Sequence, residues 1–189
     1  YLVGYQLTKN ENYLTVISQI LEWLKDEMID KDGGFYSSMD ADSEGVEGKY
    51  YVWNPEEIES ILSENDAKIF NQYYDISKSG NWEGNSIPNV IMKKSSLSTL
   101  LKIPESDISL SLEKSRLAIK KHRKSRIAPG TDDKIIVSWN GLMISSLAKV
   151  SAFLEDKEYF EIADRAVSFI VDKMSKEDGS LNRVYRDNL

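Results

Sequence analysis

Two clusters of side chains in this sequence could do chemistry. The segment Asp132-Asp133-Lys134-Ile-Ile-Val-Ser-Trp139-Asn140 gathers two carboxylates, an ammonium, an indole and an amide where a loop enters an apolar helical run. Paired carboxylates can act as acid and base, and an indole offers a flat apolar face to a sugar ring. Acids just ahead of a helix also cap its free N–H groups and match its dipole, so the same residues have a structural use. The second cluster, Gly80-Asn-Trp82-Glu83-Gly84-Asn85, sets an aromatic and a carboxylate between two glycines in a loop too polar for a core. Loops on a rigid scaffold are where ligand contacts concentrate. Asp132, Asp133 and Glu83 are thus the candidates for proton transfer or hydroxyl binding. Trp139 and Trp82 are the candidates for ring stacking, with Lys134 and Asn140 as further contacts.

Other patterns point less far. Asp40-Ala-Asp42-Ser-Glu44-Gly45 begins like a calcium loop, but position twelve is Tyr51 where an EF-hand needs a bidentate glutamate. The segment reads as a solvated acidic hairpin tip, and no metal or cofactor is expected. From Lys114 to Arg126 there are seven Lys or Arg residues with His122 and no acid after Glu113. Without interleaved aromatics this run reads as a solvated helix face, with His122 on the surface. No nucleophile elbow, phosphate loop, dinucleotide fingerprint or zinc-protease motif occurs.

Composition narrows the classes further. The 24 Lys and Arg against 31 Asp and Glu leave a net charge of −7, the wrong sign for a nucleic-acid or anionic-membrane binder. The absence of cysteine removes disulfides, thiolate metal sites and redox CxxC chemistry, and one histidine removes a multi-histidine site. The longest run without a charge, Ile135 to Ala148, falls short of the ~20 residues of a membrane span. At 189 residues with 41% apolar side chains the chain can bury a core. No signal-peptide pattern is visible; cytoplasmic is the default expectation, with the compartment left open. A start without methionine and an end on Arg-Asp-Asn-Leu read as a piece of a longer protein.

The elements that must position these clusters follow from an internal repeat at an offset of 146 residues. Tyr13–Met28, followed by Asp32-Gly33-Gly34-Phe35, matches Tyr159–Met174, followed by Asp178-Gly179-Ser180-Leu181. Apolar residues recur at three and four: Ile17, Ile20, Leu21, Leu24 and Met28, then Ala163, Ala166, Val167, Ile170 and Met174. That spacing predicts one buried helical stripe per copy, with Gly33 and Gly179 as left-handed caps. Each copy is preceded by a helix and a short polar turn, giving an αα-hairpin, the unit of a solenoid or closed toroid. Between the copies, residues 34–39 and 49–53 read as a β-hairpin and 87–92 as a short strand. Asn54-Pro55-Glu56-Glu57 starts a helix. It opens 58–62 and then, after Ser63, a segment to Tyr74; helices are also expected over 105–124 (Ile108, Leu112 and Ile119 inward) and 138–154. The fold class is mainly α, part of an α/α toroid built of helical hairpins, with short β-hairpin excursions.

The motifs GGFYSSMDADSEG (33–45), GKYYVW (48–53), GNWEGNSI (80–87) and DDKIIVSWNGLMI (132–144) resemble the YyaL-type family of thioredoxin-domain-containing proteins. Its animal members are the spermatogenesis-associated thioredoxin-like proteins. The resemblance runs through nearly all 189 residues and implies a partial six-hairpin glycosidase-like toroid over 1–189, with the thioredoxin-like domain outside it. It adds Asp40 and Asp42 to the candidate substrate contacts. It implies carbohydrate handling, of the isomerase/epimerase or glycosidase kind, and a sugar as the ligand. The alternative is a non-catalytic scaffold that binds a peptide or a protein. A partial ring leaves apolar stripes uncovered, so the chain is expected to self-associate.

Overall fold

The computed structural model describes residues 1–186; the last three residues, on which part of the reading of the C-terminal end rests, lie outside it. In chain order the elements are α1 (Leu2–Thr8), α2 (Asn12–Trp23), β1 (Ser38–Met39), β2 (Asp42–Ser43), β3 (Val46–Glu47), α3 (Pro55–Ile61) and α4 (Glu64–Tyr73). There follow α5 (Lys94–Leu101), α6 (Glu105–Arg123), β4 (Thr131–Asp132), β5 (Ile135–Ile136), α7 (Val137–Leu154), α8 (Lys157–Phe169) and β6 (Val184–Tyr185). The chain is mainly α with a few two-residue antiparallel pairings, as the periodicity predicts. It divides into two compact units, one of residues 1–39 with 131 onward, the other of residues 40–130.

The first unit contains both copies of the repeat. Helices α1 and α2 form one hairpin and α7 and α8 the other. Each hairpin turns through a left-handed residue, Lys9 (φ 56°) or Glu155 (φ 56°), 146 positions apart. After each turn a side chain caps the second helix at equivalent positions: Asn10 Oδ1 accepts the Asn12 N–H, and Asp156 Oδ1 accepts the Glu158 N–H. Helices α2 and α8 both finish in a five-residue π-turn, Leu24–Met28 and Ile170–Met174. The core is built from Ile17, Leu21, Leu24 and Met28 on one copy and Tyr159, Ala163 and Ala166 on the other, with Phe35, Leu147 and Val150. The expected stripe is corrected in one respect. Ile20 and Val167 are exposed while Leu21 and Ala166 are buried, so each helix faces the core slightly rotated from the other.

Gly33 (φ 114°) and Gly179 (φ 81°) are left-handed, but not as helix caps. The helices end at Met28 and Met174, and each glycine sits five residues later in a reversal. There the Asp30 N–H bonds the Gly34 carbonyl at 2.8 Å and the Lys176 N–H bonds the Ser180 carbonyl at 2.8 Å. The carbonyl at each helix end is satisfied from beyond the glycine, that of Met28 by the Tyr36 N–H and that of Met174 by the Asn182 N–H.

The second unit has its own core of Trp53, Ile58, Phe70, Leu97, Ile108 and Leu112. Helix α3 opens as predicted, with Asn54 Oδ1 accepting the Glu57 N–H at 2.9 Å and Pro55 at the first position. Helix α6 turns Ile108, Leu112 and Ile119 inward as expected. Helix α5 was not foreseen in this Ser-rich stretch, and Leu97, fully buried, anchors it.

The expected hairpin of 34–39 with 49–53 does not form. Strand β1 pairs with β4, and β2 pairs with β3 through a tight turn at Glu44-Gly45. The carbonyls of Lys49, Tyr50 and Val52 are taken by the Arg126 guanidinium, at 3.3, 2.9 and 3.0 Å, in place of a strand partner. Residues 87–92 form no strand. Among the described residues no helix is long and apolar enough to cross a membrane.

Candidate functional site

The sequence-predicted residues fall on the two units and form two separate groups. In the first unit, residues 131–136 run as a strap between two short pairings. Its first two residues, strand β4, pair with β1 (Ser38↔Asp132, Met39↔Thr131). Its last two, strand β5, pair with β6 (Ile135↔Tyr185, Ile136↔Val184). Since 38–39 and 184–185 are equivalent in the repeat, both copies send their exit strand to the same strap.

On this strap Asp132 and Asp133 are half-exposed and each has a cation. Lys134 Nζ lies 3.1 Å from Asp132 Oδ2, and Arg186 Nε lies 2.8 Å from Asp133 Oδ1. The hydrogen bond from Lys134 chiefly holds the Asp132 carboxyl below the usual carboxylate range. Asp132 is therefore suited to accept hydrogen bonds, not to donate a proton. Trp139, in the first turn of α7, is exposed. Asn140 has a different position from the ligand contact expected of it. It is buried, its Oδ1 accepts the Phe35 N–H at 2.7 Å, and its Nδ2 donates to the Phe35 and Ile136 carbonyls at 3.0 and 3.1 Å. That amide is spent on backbone and has nothing left for a ligand.

Two side chains beside the strap escaped the sequence reading. Tyr36 Oη donates to Asp30 Oδ2 at 3.1 Å. Burial first, then the Asp30 hydrogen bond and the charges of Asp30 and Asp133, raise the phenol above its ordinary value. In the sequence Tyr36 stands out only as a member of the expected hairpin of 34–39 with 49–53. A tyrosine six residues after an aspartate carries no pattern that would reveal the pair.

The second group lies in the second unit, on two turns of the same type. Glu83 (φ 47°) and Gly84 (φ 78°) form the centre of one turn, closed by the pairing of Trp82 with Asn85. Glu44 (φ 55°) and Gly45 (φ 73°) form the centre of the other, which joins β2 to β3. Two consecutive positive φ angles mark the mirror-image turn that tight hairpins require. A glutamate in the first position costs about 1 kcal/mol relative to glycine.

The loop carrying Trp82 is tied down from within. Asn81 Nδ2 donates to Asp75 Oδ2 at 3.1 Å and to the Ile87 carbonyl at 3.0 Å, and its Oδ1 accepts the Ile87 N–H at 2.8 Å. At Gly80 a Cβ would stand 2.2 Å from the Asn85 carbonyl oxygen, so only glycine fits there. The buried Ser86 pairs with Trp53 through two backbone hydrogen bonds of 2.9 and 2.7 Å and anchors the end of the loop.

These turns border a cleft of about 670 Å³, within the size range of small-molecule sites. Trp82 and Glu83 line it; Asp40 and Asp42 do not. Asp40 instead accepts the Asp42 N–H at 3.2 Å, closing the start of the β2–β3 hairpin. The Trp82 indole lies against Gly48, where a Cβ would come within 3.0 Å of the ring. Glu47 and Glu83 line the same cleft as the indole.

Arg126 corrects the reading of the basic run as a solvated face. Its guanidinium stacks on Trp53, 3.7 Å from the ring centroid, and bonds Glu57 Oε1 at 2.7 Å as well as the three carbonyls of residues 49–52. Arg123 lies over the rings of Tyr50 and Tyr51 at 5.3 and 5.4 Å, and His122 Nε2 lies 3.5 Å from Glu57 Oε1. Ser125, Arg126 and Ile127, just beyond the end of α6, line the cleft. The signal available in the sequence was Arg126 standing just beyond the helix, after the turn residues Lys124 and Ser125.

No family model matches this chain. It is similar to spermatogenesis-associated protein 20. The human protein of that name is 27% identical over 195 residues, which covers 90% of this chain and 25% of the human protein. An uncharacterised Caenorhabditis elegans protein is 30% identical over 198 residues, 93% of this chain and 27% of its own length. The mouse spermatogenesis-associated protein 20 is 27% identical over 199 residues. The chain spans about a quarter of the length of these relatives. The name of the human and mouse relatives agrees with the family that the four motifs resemble.

Proposed function

We propose that this chain is part of a carbohydrate-handling α/α toroid, of the isomerase/epimerase or glycosidase kind, with the sugar entering the cleft of the second unit. One observation carries the reading: a half-buried indole, Trp82, lines a small-molecule-sized cleft together with Glu47 and Glu83. The indole would stack on the apolar face of a pyranose ring. Glu83 would exchange a proton with the sugar or accept its hydroxyls, and Glu47 would accept further hydroxyls. Asp132, Asp133, Lys134 and Trp139 are proposed as a further set of contacts.

The test is thermal shift of the full-length protein against a panel of free sugars, with the Trp82→Ala and Glu83→Gln variants alongside. Stabilisation by a sugar, lost in both variants, is the expected result. No shift at millimolar sugar would overturn the reading.

A scaffold reading is favoured by one feature, the ion pairing of Asp132 and Asp133 on a strap that both repeat copies clasp. The double variant Asp132→Asn/Asp133→Asn separates the two. Lower stability with the sugar response intact makes these acids structural, and loss of the response at unchanged stability returns them to the site. Self-association through apolar side chains left open on α7 and α8, such as Leu142, Phe160 and Val167, belongs to either reading and is checked by light scattering.

A further inference from the structure

The charged side chains of the cleft settle into pairs, and the remainder says what ligand it suits. Four glutamates line it, Glu44, Glu47, Glu57 and Glu83, with two cations, Lys49 and Arg126. Lys49 Nζ is 2.7 Å from Glu44 Oε2. Arg126 Nη2 is 2.7 Å from Glu57 Oε1 and its Nη1 donates to backbone carbonyls. No guanidinium is left to take a phosphate or a carboxylate in two-pronged fashion. Glu47 and Glu83, by contrast, have no cation partner among the described residues, and they line the cleft together with the Trp82 indole.

Two unpaired carboxylates beside an aromatic face attract a cation twice over, by charge and by the ring quadrupole. A neutral sugar would satisfy the indole and leave both charges uncompensated. A phosphorylated sugar would be repelled. We propose that the cleft takes an amino sugar with a free, protonated amine, the ammonium drawn to the carboxylates of Glu47 and Glu83 and the ring on Trp82. This rests on the carbohydrate reading and adds the ligand's charge to it.

The experiment is calorimetric titration of the full-length protein with glucosamine, glucose, glucose 6-phosphate and the ringless amine 1,4-diaminobutane, at a pH where the amines are protonated. Glucosamine should bind tightest, glucose about tenfold more weakly, and glucose 6-phosphate not measurably. Added salt should weaken glucosamine and leave glucose unchanged. Glu47→Gln and Glu83→Gln should each lower glucosamine affinity about three- to fivefold, the effect of removing one exposed ion pair. Both residues are exposed, Glu47 at the end of β3 and Glu83 on a turn, so unchanged melting temperatures would show that the variants fold.

Equal binding of glucose and glucosamine, or preference for the phosphate, would overturn the charge assignment and leave the sugar reading standing. Diaminobutane binding as tightly as glucosamine, with no glucose binding, would overturn the sugar reading and keep the assignment of a cation. No binding by any of the four would overturn both.

Discussion

The two copies of the repeat share their backbone hydrogen bonds and differ in what covers them. In the first, Gly33 and Gly34 are packed in: a Cβ at Gly33 would stand 3.0 Å from the Arg165 carbonyl oxygen, and one at Gly34 2.7 Å from Ile135 Cδ1. Phe35 is buried, and the Asn140 amide pairs with both its N–H and its C=O. In the second copy a Cβ at Gly179 would meet nothing within 4 Å, the place of Gly34 is taken by Ser180, and Leu181 is exposed. Yet the Tyr36 N–H bonds the Met28 carbonyl at 2.9 Å as the Asn182 N–H bonds that of Met174 at 2.8 Å. The reversal is therefore encoded by its own turn chemistry, and burial is added to only one copy. A feature found in both copies belongs to the local motif. One found in the first alone belongs to packing.

The largest effect should come from Asn140. Asn140→Leu leaves two buried backbone groups of Phe35 unpaired, at about 1–3 kcal/mol each, so urea unfolding should show about 3 kcal/mol of lost stability. Leu181→Ala, at the equivalent of Phe35 in the open copy, should cost less than about 1 kcal/mol. A small loss for Asn140→Leu would mean that the amide tie is not what distinguishes the copies. Next comes the exchange of Gly34 and Ser180. Gly34→Ser forces a side chain onto Ile135 and Phe169 and should cost about 1–3 kcal/mol, partly recovered by Ile135→Val. Ser180→Gly should cost only a few tenths. Equal costs would break the division into a packed and an open copy.

The smallest effect is a titration. The Ser180 hydroxyl and N–H donate to Asp178 Oδ1 at 2.7 and 2.9 Å and hold its carboxyl below the usual carboxylate range. Because the folded value is the lower one, the linked stabilisation is present above the unfolded value of about 3.9 and lost as pH falls through the folded value. Carbon-detected NMR should show Asp178 titrating low, and Ser180→Gly should move it upward.

The hairpins were legible in the sequence because they rest on local signals: spacing of Leu21, Leu24 and Met28, polar turns at 9–11 and 155–157, and glycines at fixed offsets. The short strands were not legible. β1 pairs with β4 across some ninety residues, and two-residue strands carry no alternation from which to read a partner. Arg126 shows the same limit in the candidate site. Its charge suggested solvent, whereas the three carbonyls that hold it come from residues 49–52, where aromatic content alone suggested a strand. Trp82 and Glu83 could be picked out because a polar loop between glycines advertises itself. Glu47 could not, because its significance is only that Lys49 pairs elsewhere.

The strap bears on the order of folding as well. The second unit leaves after Met39 and returns at Thr131, and those two residues are cross-strand partners. Its own ends are held together by the Asp40 N–H on the Gly130 carbonyl at 2.7 Å. In an unfolded chain, closing a loop of about ninety residues costs about 4 kcal/mol on the logarithmic scaling, more than a two-residue pairing can return. Once the second unit has folded, its ends already meet and the strap can seat at little further cost in chain entropy. Weakening the core around Leu97 and Ile108 should therefore loosen the clasp between repeat copies that contain neither residue.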